Sequence, residues 1–180
     1  MVVSGPAGSG KTTLAHAIAR AVGCPAISRD EIKEGMVHAT AGFVAAHGDE
    51  LTMRTLPTFF GVLELLLRAG VTTVAEAAFQ DRVWRPGLEQ LSGLAYLRVV
   101  HCTVDAGVAW ARIQERLTRD PLRRAHADHG LGADPPAHAA GHAAFDRLSL
   151  DAPSLEVDTT DGYRPGLDEV VAFVSIPRGS

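Results

Sequence analysis

Lysine is almost missing from this chain. Of its 17 basic residues only Lys11 and Lys33 are lysine, against 21 acidic residues and a formal charge of −4 over 180 residues. So balanced a charge argues against a dedicated duplex-DNA binder, which needs a basic face to neutralise phosphates. Cysteine is also scarce. Cys24 and Cys102 form no CxxC pair and no disulfide framework, and they read as reduced cytosolic thiols, which points to a cytoplasmic protein. No long hydrophobic run occurs. Runs such as Val62-Leu63 followed by Leu65-Leu66-Leu67 are far short of the ~20 residues that span a bilayer, so no membrane association is expected. Met1 leads straight into a glycine-rich stretch, so no signal peptide is expected. Against these absences, 46% of residues are hydrophobic, enough for a sizeable core, and the length suits a single domain over 1–180.

The glycine-rich stretch reads Gly5-Pro6-Ala7-Gly8-Ser9-Gly10-Lys11-Thr12, a complete G-x-x-x-x-G-K-[ST] pattern. Apolar Val2-Val3 precedes it. Thr13-Leu14-Ala15 then opens an amphipathic helix with Leu14, Ile18 and Val22 on one face, ending at Gly23. Strand, loop and helix are the context the motif requires. Glycines let successive N–H groups turn inward, and the helix N-terminus adds partial positive charge. Lys11 is expected to reach the β- and γ-phosphates of ATP, and the Thr12 hydroxyl to ligate Mg²⁺. No guanine-specifying NKxD motif is present.

The remaining pattern alternates strands with helices. Strands are expected at 26–27, 71–75, 97–104 and 155–157. Helices are expected at 55–69 with Pro57 in the first turn, from Pro86 to about Leu91, from an Asp105 cap to about Arg119, and over 165–174. Residues 30–50 read as helix plus loop, and 120–142 as a polar, mobile insert. The alternation predicts an α/β protein with a parallel sheet between helical layers, with ligands bound beyond the carboxyl ends of the strands.

The informative residues therefore follow the strands. Ser28 and Glu31 have capping-box spacing, and Asp30 is either a simple helix-start acid or a base facing the phosphate loop. Glu76 closes the third strand, where a carboxylate orders Mg²⁺ through water, touches substrate, or is merely solvated. Arg82 and Arg85 lie just beyond and suit an anionic substrate or an ordinary surface. Arg112, Arg116 and Arg119 recur on one helix face, with Arg123 and Arg124 following. They suit a lid that closes cations over a transferring phosphate, or a solvated face neutralised in part by Glu115 and Asp120. His126, Asp128, His129, His138 and His142 lack the ligand spacing of a zinc site and read as a His-rich lid. His38, His47 and Asp49 line an acceptor pocket or belong to a loop. Asp158-Thr159-Thr160-Asp161-Gly162-Tyr163 makes a turn that suits an adenine edge, with Thr159 and Asp161 as candidate contacts.

Taken together, Gly5–Thr12, Ser28-Arg29-Asp30-Glu31-Ile32, Val74-Ala75-Glu76-Ala77-Ala78-Phe79, the arginine-bearing lid and Val157–Tyr163 resemble the small P-loop kinases of the AAA-33 or zeta-toxin-like type. These are related to chloramphenicol phosphotransferase and the tunicamycin-resistance ATP-binding proteins. The resemblance implies a five-stranded P-loop NTPase sheet in the order 2-3-1-4-5, ATP with Mg²⁺, and phosphoryl transfer to a hydroxyl with Asp30 as base. It also places Arg119 or its neighbours in the lid. Glu76 stands where many such enzymes have Asp.

The expected activity is an ATP-dependent kinase with an alcohol acceptor, an antibiotic or another hydroxylated metabolite, with Asp30, Glu76, Arg82 and His38 near that acceptor. Rival readings are a polynucleotide 5′-hydroxyl kinase, which the charge of −4 disfavours, a regulatory ATPase that phosphorylates nothing, and a toxin acting on a nucleotide sugar.

Overall fold

A computed structural model describes residues 1–46, 48–119 and 135–176. Five short strands form one all-parallel sheet: β1 (Val2–Ser4), β2 (Ala26–Ser28), β3 (Val74–Glu76), β4 (Val99–Thr103) and β5 (Ser154–Asp158). Their order is β2-β3-β1-β4-β5, as the family resemblance implied. The helices are α1 (Lys11–Val22), α2 (Arg29–His38), α3 (Glu50–Arg68), α4 (Asp81–Leu91), α5 (Ala106–Arg119), α6 (Pro135–Ala143) and α7 (Leu167–Ser175).

Strand alternation divides the core into two layers. Val2 and Val99 point into a cluster with Phe59, Leu63, Phe79, Trp84 and Leu88, contributed largely by α3 and α4. Val3, Val100 and Cys102 point the other way, against Leu14 and Ile18 of α1 and Val170 and Val174 of α7. The parallel sheet is thus covered on both faces. Phe59 and Phe79 each pack edge to face with Trp84, the Phe79 and Trp84 ring centroids 4.8 Å apart. All three are core residues.

Two helices start earlier than their prolines suggest. α3 begins at Glu50 because the Asp49 carboxylate accepts the Thr52 N–H at 2.7 Å. Pro57 is therefore interior, where the helix is held by the buried face of Leu51, Thr55, Phe59 and Leu63. α4 begins at Asp81, and Trp84, Leu88 and Leu91 carry one buried stripe straight through Pro86. In both cases amphipathic burial outweighs the local helix-breaking preference of proline. The third strand spans Val74–Glu76 rather than 71–75, because the Val71 N–H is still engaged by the Leu66 carbonyl in the turn that closes α3.

Asp105 caps α5 as expected, its Oδ1 accepting from the N–H groups of Gly107 and Val108 at 2.9 and 3.0 Å. The end of the expected polar insert is helical, as α6, and buries His138. Asp120, Arg123, Arg124, His126, Asp128, His129 and His47 lie outside the described residues.

Candidate active site

Register brings three strand ends to one edge. Ser28 at the end of β2 pairs with Glu76 at the end of β3, and Glu76 pairs with Val3 of β1. The phosphate loop leaves β1 immediately beyond. Its glycines are demanded by space and by backbone conformation. A Cβ on Gly5 would stand 2.7 Å from the Cys102 carbonyl, and one on Gly8, at φ +78°, 2.5 Å from the Ala109 carbonyl. Gly10 caps α1 in the left-handed region at φ 69°. No acidic residue lies in the first turn of α1 and no side chain caps it, so its N–H groups and partial positive charge stay available to an anion.

The loop opens onto a cavity of about 400 Å³. Gly8, Gly10, Lys11, Thr12 and Thr13 form one wall, Arg112 and Arg116 of α5 a second, and Gly162 and Tyr163 beyond β5 a third. The Lys11 ammonium lies 3.5 Å from the Pro6 carbonyl, folded back on its own loop. Ser9 is fully buried, and its carbonyl accepts the Thr159 hydroxyl at 2.7 Å.

Arg112 ties this cavity together. Its guanidinium donates to the Gly8 carbonyl at 3.4 Å and to the carbonyls of Thr159 and Thr160 at 2.7 and 3.2 Å, which links the phosphate loop to the turn after β5. Arg116 follows one turn on, its Nε donating to the Arg112 carbonyl at 3.3 Å, and it faces the same space. Arg119 does not. It is 77% exposed, is not a wall residue, and pairs at 2.8 Å with Glu115, which is one.

Of the two residues expected at the adenine edge, Thr159 is buried and spends its hydroxyl on the loop and on Thr103. Asp161 is 94% exposed beside Arg164. Thr159 nevertheless lines the cavity with the neighbouring Gly162 and Tyr163, and Asp161 does not. The spacing of the arginines singled out a helix face, but the anchoring role of Arg112 depends on contacts with residues 47 and 104 positions away in the chain. No local pattern carries that signal.

Beneath the loop sits Glu76, 1% exposed. One carboxylate oxygen accepts the Ser28 hydroxyl at 2.6 Å, and the other is buried with no hydrogen-bond partner among the described residues. Burial pushes its pKa up, and the nearby Asp30 charge pushes the same way. Lys11, the Ser28 hydrogen bond and the Thr12 hydroxyl act in the opposite direction. A buried carboxylate with one orphaned oxygen, grouped with Thr12 and Lys11 under an anion-binding loop, fits a site that orders a hydrated divalent cation.

Ser28 also caps α2 by accepting the Glu31 N–H at 3.5 Å, while the Glu31 carboxylate pairs with His16 instead of completing the capping box. The cap places Asp30 in the first turn of α2. Asp30 is 34% exposed, close enough for its charge to act on Glu76, and held by the Arg29 guanidinium at 2.9 Å.

Two expected acceptor residues are not gathered here. His38 is exposed at the far end of α2. Arg82 is exposed beside a separate depression with Asp81, Arg85, Pro86 and Asp146, and its backbone N–H meets the Asp146 carboxylate. Asp49 is no loop residue lining a pocket. It is the cap of α3 and the buried partner of Lys33, at 3.0 Å.

With this geometry in hand, the profile of the AAA_33 family, described as an AAA domain, matches residues 1–131. The chain belongs to the AAA_33 family. No curated protein matches it. Among solved structures, a candidate kinase from Chloroflexus aurantiacus superposes with a TM-score of 0.82 at 23% identity, covering 96% of this chain and 94% of that one. A sugar kinase from Janibacter sp. gives 0.59 at 22% identity, with 96% and 90% covered. A shikimate kinase from Bacteroides thetaiotaomicron gives 0.56 at 21% identity, with 96% and 94% covered. The AAA_33 chain therefore shares its fold with proteins bearing kinase names. Among the described residues no helix is long and apolar enough to cross a membrane.

Proposed function

We propose that this chain is an ATP-dependent kinase, one domain that transfers the γ-phosphate to a hydroxyl group of a small molecule in the cytoplasm. The observation that carries this reading is the convergence of Lys11 and Thr12, the orphaned carboxylate of Glu76 and the carboxylate of Asp30 at one edge of the sheet.

In this reading the loop N–H groups and the N-terminus of α1 hold the phosphates, and Tyr163 and Gly162 border the nucleotide. Thr12 and Glu76 would hold Mg²⁺, which when bound neutralises phosphate charge. Lys11 leaves the Pro6 carbonyl for the γ-phosphate, and Arg116 offsets charge that develops on the equatorial oxygens. Asp30 accepts the proton of the acceptor hydroxyl as its oxygen bonds to the γ-phosphorus. The bond from that phosphorus to the β,γ-bridging oxygen breaks, and ADP leaves with the electron pair. Arg29 orients Asp30. The acceptor is an antibiotic or another hydroxylated metabolite.

The test is an ADP-release screen against hydroxylated antibiotics, nucleosides and sugars. We expect acceptor-dependent release that disappears in Asp30→Asn while ATP still binds. Slow release that no acceptor stimulates, unchanged in Asp30→Asn, would mean a regulatory ATPase.

A further inference from the structure

A second cavity, of about 320 Å³, meets the phosphate loop at its other end. Gly5 and Pro6 border it from the loop, His101 from β4, His142 from α6, and Phe145 and Arg147 from the segment that follows. It shares no wall residue with the nucleotide cavity. Its volume is at the small end of the roughly 300–1,000 Å³ typical of small-molecule sites.

The walls are charged in the sequence but not in the fold. The Arg147 guanidinium is held by the Glu156 carboxylate at 2.6 Å, so the pair has no net charge. His101, paired in register with Glu156, is 6% exposed. Its pKa is lowered to about 4, by burial first and Arg147 second, with Glu156 opposing. Burial, and then the neighbouring His138 imidazole at 6.0 Å between ring centroids, lowers that of His142, with Asp105 opposing. Both rings are therefore neutral near pH 7.

The Nε2 of His142 is buried and has no hydrogen-bond partner among the described residues. A buried polar atom is costly to leave unpaired, and because His142 is a wall residue a polar ligand group that turns its ring towards the cavity can satisfy it. Phe145 and Pro6 supply flat apolar surface beside it. Glu156 offsets the charge of Arg147, so an anionic group here gains less from that guanidinium than from an unpaired one, while its desolvation still costs.

We propose that this cavity holds the non-reacting part of the acceptor, and that it selects an uncharged acceptor with an apolar ring and one hydrogen-bonding group that meets His142. The inference rests on the kinase reading above. It places the selectivity on the β4 side of the loop, across β1 from Asp30, which follows β2.

The test uses the full chain saturated with a non-hydrolysable ATP analogue, histidine-labelled for NMR. The probes are 3-phenylpropane-1,2-diol and its 4-carboxy and 4-aminomethyl derivatives. The neutral diol should bind about tenfold tighter than the carboxylate, and should move the ring signals of His101 and His142. His142→Ala should weaken the neutral diol about fivefold. Glu156→Gln, which frees Arg147 without touching the core, should tighten the carboxylate up to about fivefold.

A carboxylate that binds the native chain as tightly as the neutral diol overturns the proposal. So does a bound diol that leaves the His142 ring unmoved, or no diol binding at all. The readout is binding without turnover. Neutral-diol selectivity with no acceptor-dependent ADP release from any compound defeats the kinase reading but not the selectivity of this cavity. Reversed charge preference in an active kinase does the opposite.

Discussion

Glu76→Gln removes one charge from the most enclosed point of the site while keeping the shape of the side chain. Glu76 is 1% exposed, with one oxygen satisfied by Ser28 and the other by nothing among the described residues. An unsatisfied buried polar group costs about 1–3 kcal/mol, and more when charged. The ammonium of Lys11 and the Ser28 and Thr12 hydroxyls offset part of that. The variant without bound ligand should therefore be more stable than the native chain by about 1 kcal/mol, which for a chain of this size is roughly 2–4 °C in Tm.

The pH dependence has a definite sign. Burial raises the Glu76 pKa above its ordinary 4.5, so folding favours the protonated form. Below 4.5 the native chain suffers no penalty. The penalty grows as pH rises from 4.5 towards the raised folded value and is constant above it. The stability advantage of the Glu76→Gln variant should thus be present near neutral pH and close towards about pH 4.

Magnesium and an ATP analogue should reverse the order. A ligand at about 100 times its Kd stabilises the native chain by about 2.7 kcal/mol, and the variant should gain clearly less. The assay is a thermal melt from acid to neutral pH, with and without magnesium and nucleotide. A variant that is several degrees less stable without ligand at every pH would refute the reasoning. It would show the carboxylate to be an ordinary structural partner.

Three further results are expected. Arg116→Ala should lower kcat on the order of 10³-fold, whereas Arg119→Ala, which removes an exposed guanidinium that is no part of the cavity wall and pairs with the wall residue Glu115, should change kcat far less in the same ADP-release assay. Asp49→Ala should cost at least about 3 kcal/mol in urea unfolding, because it strands the 3%-exposed Lys33 and uncaps α3. Burial alone would raise the Asp49 pKa, but the Thr52 N–H and Lys33 outweigh it and hold the value at about 2. That stabilisation should therefore persist above the ordinary 3.8 and disappear only as pH falls through about 2, which an acid-unfolding titration comparing native chain and variant will show.

The sequence by itself determined the phosphate loop, the parallel sheet and the sheet edge near which Asp30 and Glu76 lie. These depend on local patterns: the fixed spacing of Gly5, Gly10 and Lys11, the alternation of strands with helices, and carboxylates at strand ends. Asp30 and Glu76 were legible because parallel strands deliver their carboxyl ends to one edge whatever the details. Proline misled at α3 and α4, since its local preference gave way to the buried stripes of Phe59–Leu63 and Trp84–Leu91.

Only the tertiary structure decided which of several equivalent-looking residues face a cavity. Arg112, Arg116 and Arg119 share a helix face in the sequence. In the fold one clamps the loop, one faces the nucleotide cavity and one pairs with Glu115 in solvent. Arg147 and His142 likewise look like polar surface groups in the sequence, until Glu156 cancels the one and burial neutralises the other. Charge state and pairing are set by neighbours distant in the chain, and those neighbours exist only once the sheet has brought them together.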